Sequence, residues 1–477
     1  MTVESARRAV RYQGVPQRPV RARGLAKVEQ VVRLDPGDLL QVCWDTADLR
    51  LLAHGGALQH RADSARGWLL TLPDGTEHRA PDAGAVPAEL GELVRAYTGG
   101  RPLHPVLRIG GHRHRTVLLD RRRRPLARLD RTEATAQLLG TGQVSGWDRT
   151  ELRLLRGKRR LLRELDGRLR AQGLAPGTGD PVPGFRPPEP PAPRPGSAGA
   201  ALTAYLRAQC AQLLALDGAV RRDEADSVHR MRVCARRLRS ALAAGRRWLR
   251  RDDGVSEELR WLGRVLGVAR DAETTGERLV AAAGDGPSAG LLAEAFRERY
   301  ARAAAEVREV QQSERYFALL AAVERLAAEP PLRRRAERGG RHGRAELERL
   351  LRREQRRTGR RLDAALALPP GPERDEALHA ARKAAKRGRY AAELAGADRL
   401  ASRLHGLQQT LGAYQDAVVA ERLLPELAAA PGLPARAAFD YGRLYAAQRP
   451  LAEAALADTP EAWRRARKHK LCVPGAG

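Results

Sequence analysis

The most restrictive feature of this 477-residue sequence is an internal repeat in its C-terminal half. Shifted by 150 residues, HRMRVCARRLRSAL at 229–242 aligns with HAARKAAKRGRYAA, so that His229 falls on His379. A second block, LGRVLGVARDAE at 262–273, aligns with LQQTLGAYQDAV at 407–418 when the shift is 145. A repeat of this kind marks a recurring structural unit. The sequence therefore predicts two similar helical bundles related by pseudo-twofold symmetry.

The rest of the chain divides by its apolar periodicity. From about Ala200 to Lys470, leucine and alanine recur every three or four residues, which is typical of helices. Residues 1–155 instead contain short β-prone runs such as VEQVVRL, several of them bounded by Pro, Gly and Asp. One helix is expected at 158–172, and the segment 173–197 is proline-rich, which indicates a linker with some stiffness. We expect an α+β multidomain protein with domains at 1–172 and 198–472, the latter comprising repeats at about 198–330 and 345–472.

The two matching helices each predict a basic stripe, because residues three, four and seven apart share a helical face. The first stripe contains His229, Arg232, Arg236 and Arg239, and the second contains His379, Arg382, Lys386 and Arg389, with Lys383 beside it. No acidic residue interrupts either segment, so like charges repel one another along the helix. If the repeat brings the stripes together, they form a basic channel. The alternative is two solvated helix faces.

The charge of the whole chain indicates a polyanionic partner. Lys and Arg total 86 against 57 Asp and Glu, a formal net charge of +29. Such a balance is compatible with nucleic acid, a phosphate polymer or an anionic membrane surface. Most of the excess is arginine, whose planar guanidinium binds phosphate oxygens in pairs. A highly basic but merely solvated surface would give the same composition.

A further arginine-rich helix, ELERLLRREQRRTGRR at 346–361, precedes the second stripe. Its arginines are candidate secondary phosphate contacts that would extend the groove, and a plain solvated face is the alternative. They are Arg353, Arg356, Arg357 and Arg360. The corresponding helix of the first repeat, around AYLRAQCAQLLAL, is much less basic.

Several other classes of site and location receive no support. The four cysteines are scattered without a CxxC pair, which argues against a zinc knuckle or a disulfide framework. No apolar run is long enough for a membrane span, and MTVESARRAV has no apolar signal core. We expect a cytoplasmic protein without a membrane partner, metal or cofactor. Asp271 and Asp416, which follow Leu-Gly pairs, are interpreted as structural groups that brace an arginine or cap a helix.

The helical half resembles the CHAD family, the conserved-histidine α-helical domain. The likeness spans about 200–470 and is carried by SVHRMRVCARRLRSAL, LGVARDAE, ALHAARKAAKRGRYAAEL and LGAYQDAVVAERLL, in that order. The resemblance implies two four-helix bundles with a basic central pore that binds inorganic polyphosphate. Carried over by position, the implied ligands are His229, Arg232, Arg236, Arg237, Arg239, His379, Arg382, Lys383, Lys386, Arg387 and Arg389. Gly388 replaces the usual leucine, and we expect it to loosen its helix.

The N-terminal part resembles the CYTH, or triphosphate-tunnel, fold through WDTADLRLLAHGGALQHR, GWLLTLPDGTEHRAP and HRHRTVLLDRRRRPLARLDRTEATA. This likeness implies a closed antiparallel barrel of about eight strands. Active members hold a divalent metal on several carboxylates, because such ions prefer hard oxygen ligands. Here Ala6 stands at the second glutamate of the first motif, Thr71 at an expected lysine, and Arg153 at an expected acid. The first motif retains Glu4 and the late strand retains Glu151. Arg61, Arg113 and Arg115 are candidate secondary phosphate contacts.

The sequence therefore favours a polyphosphate-binding protein without catalytic residues, which would be found in the cytoplasm and with polyphosphate granules. Two other functions stay open. One is nonspecific binding of nucleic acid or other polyanions, although few aromatics are present to stack bases. The other is residual triphosphatase activity of the N-terminal domain. The sequence leaves the oligomeric state undetermined.

Overall fold

The structure, a computed structural model, describes residues 9–25, 27–62, 67–177, 182, 184–185 and 190–475. The chain forms two compact units, Met1–Glu189 and Pro190–Gly477. The first is built on an antiparallel sheet and the second is helical, so the expected α+β multidomain architecture is confirmed.

The N-terminal unit contains one long antiparallel sheet path. Its strands are β1 (Ala9–Gln13), β2 (Gln30–Arg33), β3 (Gly37–Asp45), β4 (Ala57–Arg61), β5 (Gly67–Thr71), β6 (Glu77–Ala80), β7 (His104–Leu119), β8 (Pro125–Leu138), β9 (Val144–Leu154) and β10 (Ala175–Pro176). The strand order is β10-β1-β9-β8-β7-β3-β4-β5-β6, and β2 pairs with β7. Arg11 Nη2 on β1 lies 3.8 Å from Glu77 Oε1 on β6, so the two ends of this path approach each other. The unit has the barrel-like sheet that the CYTH resemblance implied.

Three helices accompany the sheet: α1 (Arg50–Ala53), α2 (Ala88–Thr98) and α3 (Arg159–Arg170). The expected helix at 158–172 is α3. Its leucines at 161, 165 and 169 recur every four residues and are buried with Tyr12 and Leu152 of the sheet. Burial of such a stripe stabilises the helix against the strands.

The proline-rich segment differs from a simple linker. Within it, β10 pairs with β1, and Val182 and Phe185 are buried against Leu107 and Ile109 of the sheet. Val182 and Phe185 gain free energy by leaving water, which ties their positions to the sheet.

The helical unit consists of two consecutive repeats. The first contains α4 (Ala198–Arg221), α5 (Ser227–Gly245), α6 (Val255–Ala283), α7 (Pro287–Val310) and α8 (Glu314–Ala328). The second contains α9 (Gly340–Leu366), α10 (Pro372–Leu394), α11 (Asp398–Ala428), α12 (Ala435–Ala457) and α13 (Thr459–Ala466). Each repeat thus has four helices that lead in chain order to a shorter fifth. In the described part of the chain, no helix combines the length and the apolar character that crossing a membrane requires.

Candidate functional site

The predicted stripes lie on α5 and α10. Each helix buries one face, formed on α5 by residues such as Met231, Ala235 and Leu238, and on α10 by small alanines such as Ala381 and Ala385. The basic side chains occupy the remaining surface and are partly buried or exposed. Amphipathic helices of this kind hold long cationic side chains at defined positions beside their apolar contacts.

Contacts between α5 and α10 join the two repeats. Arg237 Nε on α5 lies 3.1 Å from Glu393 Oε2 on α10, and Arg387 Nη2 on α10 donates to the Ala243 carbonyl oxygen on α5 at 3.4 Å. Glu393 also accepts hydrogen bonds from Arg389 and from the Tyr205 hydroxyl. These residues therefore connect the helices that carry the stripes.

The stripes meet across this helix pair, and their charges act on each other. Burial and the nearby guanidinium groups of Arg236, Arg382 and Arg232 lower the pKa of Lys386 to about 6. Burial also lowers the pKa of Arg382, and both Arg236 and Arg232 of the other repeat act in the same direction. The structure thus brings Arg232, Arg236, Arg382 and Lys386 into one cluster, called the central groove below.

Two glycines allow arginines of the groove to lie against the neighbouring helices. A Cβ on Gly267 of α6 would lie 3.3 Å from Arg232 Nη2, and a Cβ on Gly412 of α11 would lie 3.3 Å from Arg382 Nη2. Both are the glycines of the Leu-Gly pairs, which lie within helices α6 and α11 and not in turns. Both repeats therefore have the same gap beside a helical glycine, and an arginine guanidinium fills it in each.

Asp271 braces one of these arginines. Its Oδ1 accepts a hydrogen bond from Arg232 Nη1 at 2.8 Å. The charge of Asp416, the matching residue of the second repeat, counteracts the fall in the pKa of Arg382. The Asp416 carbonyl oxygen also accepts a hydrogen bond from Arg278, a residue that the sequence did not single out.

The two histidines lie near the cluster in different surroundings. His379 Nδ1 is 3.0 Å from Gln415 Oε1 of α11. His229 instead experiences the charge of Arg270, which occupies the aligned position on α6. Burial is the main reason why the pKa of each imidazole falls below its usual value, and neighbouring cations lower it further. Both side chains are therefore neutral hydrogen-bonding groups at pH 7.

The other implied ligands lie around this cluster. Arg239 is close enough to Arg236 for the two positive charges to repel each other. Exposed Lys383 lies near His379. Arg237 and Arg389 are held by Glu393, and Arg387 is held by buried Glu354. Arg237 and Arg387 therefore contribute to the joint between the repeats. Arg389 instead contacts Glu393, His405 and Gln408 within the second repeat.

Gly388 does not interrupt its helix, since α10 continues to Leu394. A Cβ at this position would lie 3.2 Å from Leu404 Cδ1 and 3.4 Å from Thr358 Oγ1. The helix is therefore continuous at Gly388, and the glycine allows close packing with α9 and α11.

The arginines of the 346–361 helix lie on α9 and line a separate surface. Arg353, Arg357 and Arg360 border a cavity of about 190 Å³, and Arg353 and Arg356 border another of about 510 Å³. Two α5-terminal residues, Arg246 and Arg247, also contribute and were not among the candidates from the sequence.

In the N-terminal unit, Arg61, Arg113 and Arg115 lie together in the wall of a cavity of about 670 Å³. Of the described residues, eight arginines and five acidic residues line this cavity. Thr71, which replaces an expected lysine, is also in its wall. The cavity is therefore basic, but much of its charge is compensated internally.

The carboxylates of this cavity do not fit a divalent metal. Glu151 pairs with Arg11 and Arg153, and Glu77 lies within 4 Å of the same two arginines. Burial alone would raise the pKa of Glu151, but Arg11 and Arg153 overcome it and hold the pKa at about 2. Among the described residues, no group of three or more His, Cys, Asp or Glu could hold a metal ion. Glu4 and Ala6 lie outside the described residues.

Comparison with known proteins locates the helical unit in a family. A model of the CHAD domain matches residues 204–425. Proteins of Mycobacterium tuberculosis strains CDC 1551 and H37Rv are each 34% identical over 493 residues, covering 93% of this chain and 94% of the relative. PptA from Streptomyces chartreusis aligns over 56% of this chain and 99% of its own, at 25% identity and TM-score 0.48. The CHAD domain from the plant Ricinus communis aligns over 59% and 97%, at 24% identity and TM-score 0.45.

Proposed function

The chain belongs to the CHAD family, and from the facing stripes of its helical unit we propose that it binds inorganic polyphosphate. The observation that supports this most strongly is the cluster of Arg232, Arg236, Arg382 and Lys386, contributed by both repeats. Crowded, partly buried cations destabilise one another, and a chain of phosphates placed between them relieves the repulsion. The binding is charge-assisted hydrogen bonding and requires no chemical step.

A phosphate polymer suits this groove better than a nucleic acid. Single-stranded nucleic acids are commonly bound by aromatic side chains on which bases stack. Tyr390 of α10 is 3% exposed, and the α5 segment 227–245 contains no aromatic residue. The cluster offers guanidinium and ammonium groups, which recognise phosphate oxygens and not bases.

A competition experiment tests this preference. The protein is loaded with fluorescently labelled double-stranded DNA and titrated with long-chain polyphosphate, and the reverse titration is then performed at the same salt concentration. We expect polyphosphate to displace DNA at a far lower phosphate concentration than the reverse. Equal displacement in both directions would instead indicate a general polyanion binder.

The residues of the N-terminal cavity support the proposal that the protein has no triphosphatase activity. Metal-dependent phosphoryl hydrolysis requires free carboxylates to hold the ion. The described carboxylates Glu77, Glu151 and Asp130 are each paired with arginine. We therefore assign the function to binding in the helical unit.

A further inference from the structure

A second basic site lies where the C-terminal end of α5 meets α9. Two adjoining cavities of about 190 and 510 Å³ share Arg247 and Arg353 in their walls. Among the residues that the structure describes, ten arginines and two acidic residues, Glu346 and Glu354, line them. We call this surface the arginine cleft.

Both acidic residues of the cleft already have partners. Glu354, whose side chain is 2% exposed, lies 3.3 Å from Arg353 Nε and 2.9 Å from Arg387 Nε. Glu346 pairs with Arg335 and Arg349 and accepts a hydrogen bond from the Trp248 indole. Neither carboxylate is left to neutralise further arginines.

Five arginines of the cleft consequently remain in excess. These are Arg246, Arg247, Arg356, Arg357 and Arg360. Within the part of the chain that the structure describes, none of them forms an ion pair with a carboxylate. Burial and the charge of Arg387 also lower the pKa of Arg357, and the opposite influence of Glu354 does not offset them.

Most arginines of the cleft have no basic residue at the aligned position of the other repeat. With the 150-residue shift, Ala243 aligns with Glu393, and Arg246-Arg247 aligns with Gly396-Ala397. Glu393 brings a carboxylate to Arg237, whereas the small Ala243 borders the open cleft. On α4, the arginine aligned with Arg357 is Arg207, whose guanidinium donates to the Ala327 and Ala328 carbonyl oxygens. The symmetric groove therefore has an additional cationic surface on one side only.

We propose that the arginine cleft is a second phosphate-binding site, which takes a further segment of the same polyphosphate chain that occupies the central groove. This proposal rests on the proposed function of the groove. From Arg236, the groove residue of α5 that is nearest the cleft, to Arg246, the helix rises about 15 Å at 1.5 Å per residue, so a short phosphate chain does not reach both surfaces. The fork-shaped guanidinium groups of the cleft fit tetrahedral phosphate. Trp248, which also lines the cleft, is buried, and its indole nitrogen already donates a hydrogen bond to Glu346.

The test compares two triple variants of equal charge. Arg356→Gln/Arg357→Gln/Arg360→Gln removes exposed arginines from the cleft, and Arg302→Gln/Arg308→Gln/Arg443→Gln removes exposed arginines of α7 and α12 that line neither cavity. Calorimetry measures the Kd of each full-length protein for long-chain polyphosphate and for tripolyphosphate. Relative to the control variant, the cleft variant should bind the long chain about tenfold more weakly, with a salt dependence shallower by about two to three released ions.

Tripolyphosphate separates this proposal from the function of the groove itself. It is too short to span both surfaces, so we expect its affinity for the cleft variant to stay within about twofold of the control. Equal long-chain affinity of the two triple variants would overturn the second site. Failure of Arg236→Ala/Lys386→Ala to weaken tripolyphosphate binding would instead overturn the central groove, whatever the result for the cleft.

Discussion

At the scale of single residues, the protonation of Lys386 is coupled to ligand binding in the central groove. Its ammonium group is partly buried beside Arg236, Arg382 and Arg232, and its pKa falls to about 6. At pH 7 the side chain is therefore mostly neutral in the free protein. A phosphate anion placed beside it favours the charged form and raises the pKa again, so that binding takes up a proton.

This linkage predicts that polyphosphate affinity rises as the pH falls from about 8 to about 6, by up to about tenfold per pH unit. Below pH 6 the lysine is already protonated in the free protein, so its contribution levels off. Lys386→Arg keeps a cation that does not titrate in this range and should flatten the profile. Calorimetry in buffers of different ionisation enthalpy measures the proton uptake directly.

The matched control is Lys468→Arg, at an exposed lysine. Its pH profile should coincide with that of the unaltered protein. Parallel profiles for Lys386→Arg and the unaltered protein would show that Lys386 takes up no proton when polyphosphate binds.

At the scale of helices, the repeat made much of the site predictable. The spacing of His229, Arg232 and Arg236 indicated one face of a helix, and the offset to His379 predicted its counterpart. The sequence did not reveal that Arg387 and Arg237 would be held by Glu354 and Glu393, because these ion pairs form between different helices and depend on how the helices pack. It also missed the α5-terminal arginines, whose importance depends on the approach of α9.

The glycine of α11 provides a prediction about this packing. Gly412→Ala should force the Arg382 guanidinium to move, because a Cβ there would lie 3.3 Å from Nη2. We expect a several-fold loss of polyphosphate affinity, about 1 kcal/mol for one displaced charge-assisted contact. Calorimetry measures the binding, and circular dichroism reports whether α11 is retained.

Gly406→Ala on the same helix is the control, since a Cβ there meets nothing within 4 Å. It should raise the free energy of unfolding by up to about 1 kcal/mol through helix propensity without changing affinity. If the two variants bind polyphosphate equally well, the contribution of Arg382 to binding does not depend on the space beside Gly412.

A buried carboxylate of α4, Asp217, stabilises the packing of the first repeat. Asp217 is fully buried and accepts hydrogen bonds from Arg221 at 2.7 Å, Gln311 at 2.7 Å and the Tyr316 hydroxyl at 2.8 Å. Asp217→Asn leaves the buried Arg221 cation uncompensated and should lower the free energy of unfolding by about 3 kcal/mol. Urea denaturation measures this, and Asp363→Asn on the exposed surface of α9 should change stability little. A similar small effect of both substitutions would contradict a structural role for the Asp217 network.

At the scale of the whole molecule, the two units differ in how they use their arginines. The sheet and the helical repeats were both predictable from apolar periodicity, which changes from alternation to three- and four-residue spacing along the chain. The pairing of arginine with Glu77 and Glu151 in the N-terminal cavity was not predictable. It depends on strands β1, β6 and β9, whose side chains meet only when the sheet curls.

This difference predicts that the full-length protein releases no phosphate from tripolyphosphate above background with magnesium or manganese. The paired carboxylates also predict weak metal binding, because a cation would have to displace guanidinium groups from Glu77 and Glu151. A phosphate-release assay, with calorimetric titration of each metal, measures both. Sustained turnover that requires the metal would show that the cavity is catalytic.

The central claim is that the two repeats bind one ligand in one groove, and the stoichiometry of tripolyphosphate binding tests it most directly. Calorimetry is performed at pH 6 on the unaltered protein, on Arg236→Gln and on Lys386→Gln, which alter the stripes of different repeats. We predict one strong site per chain, weakened about tenfold or more by either substitution, because each removes a charge-assisted contact to the same anion. Two sites per chain, each weakened by only one of the substitutions, would contradict a shared groove.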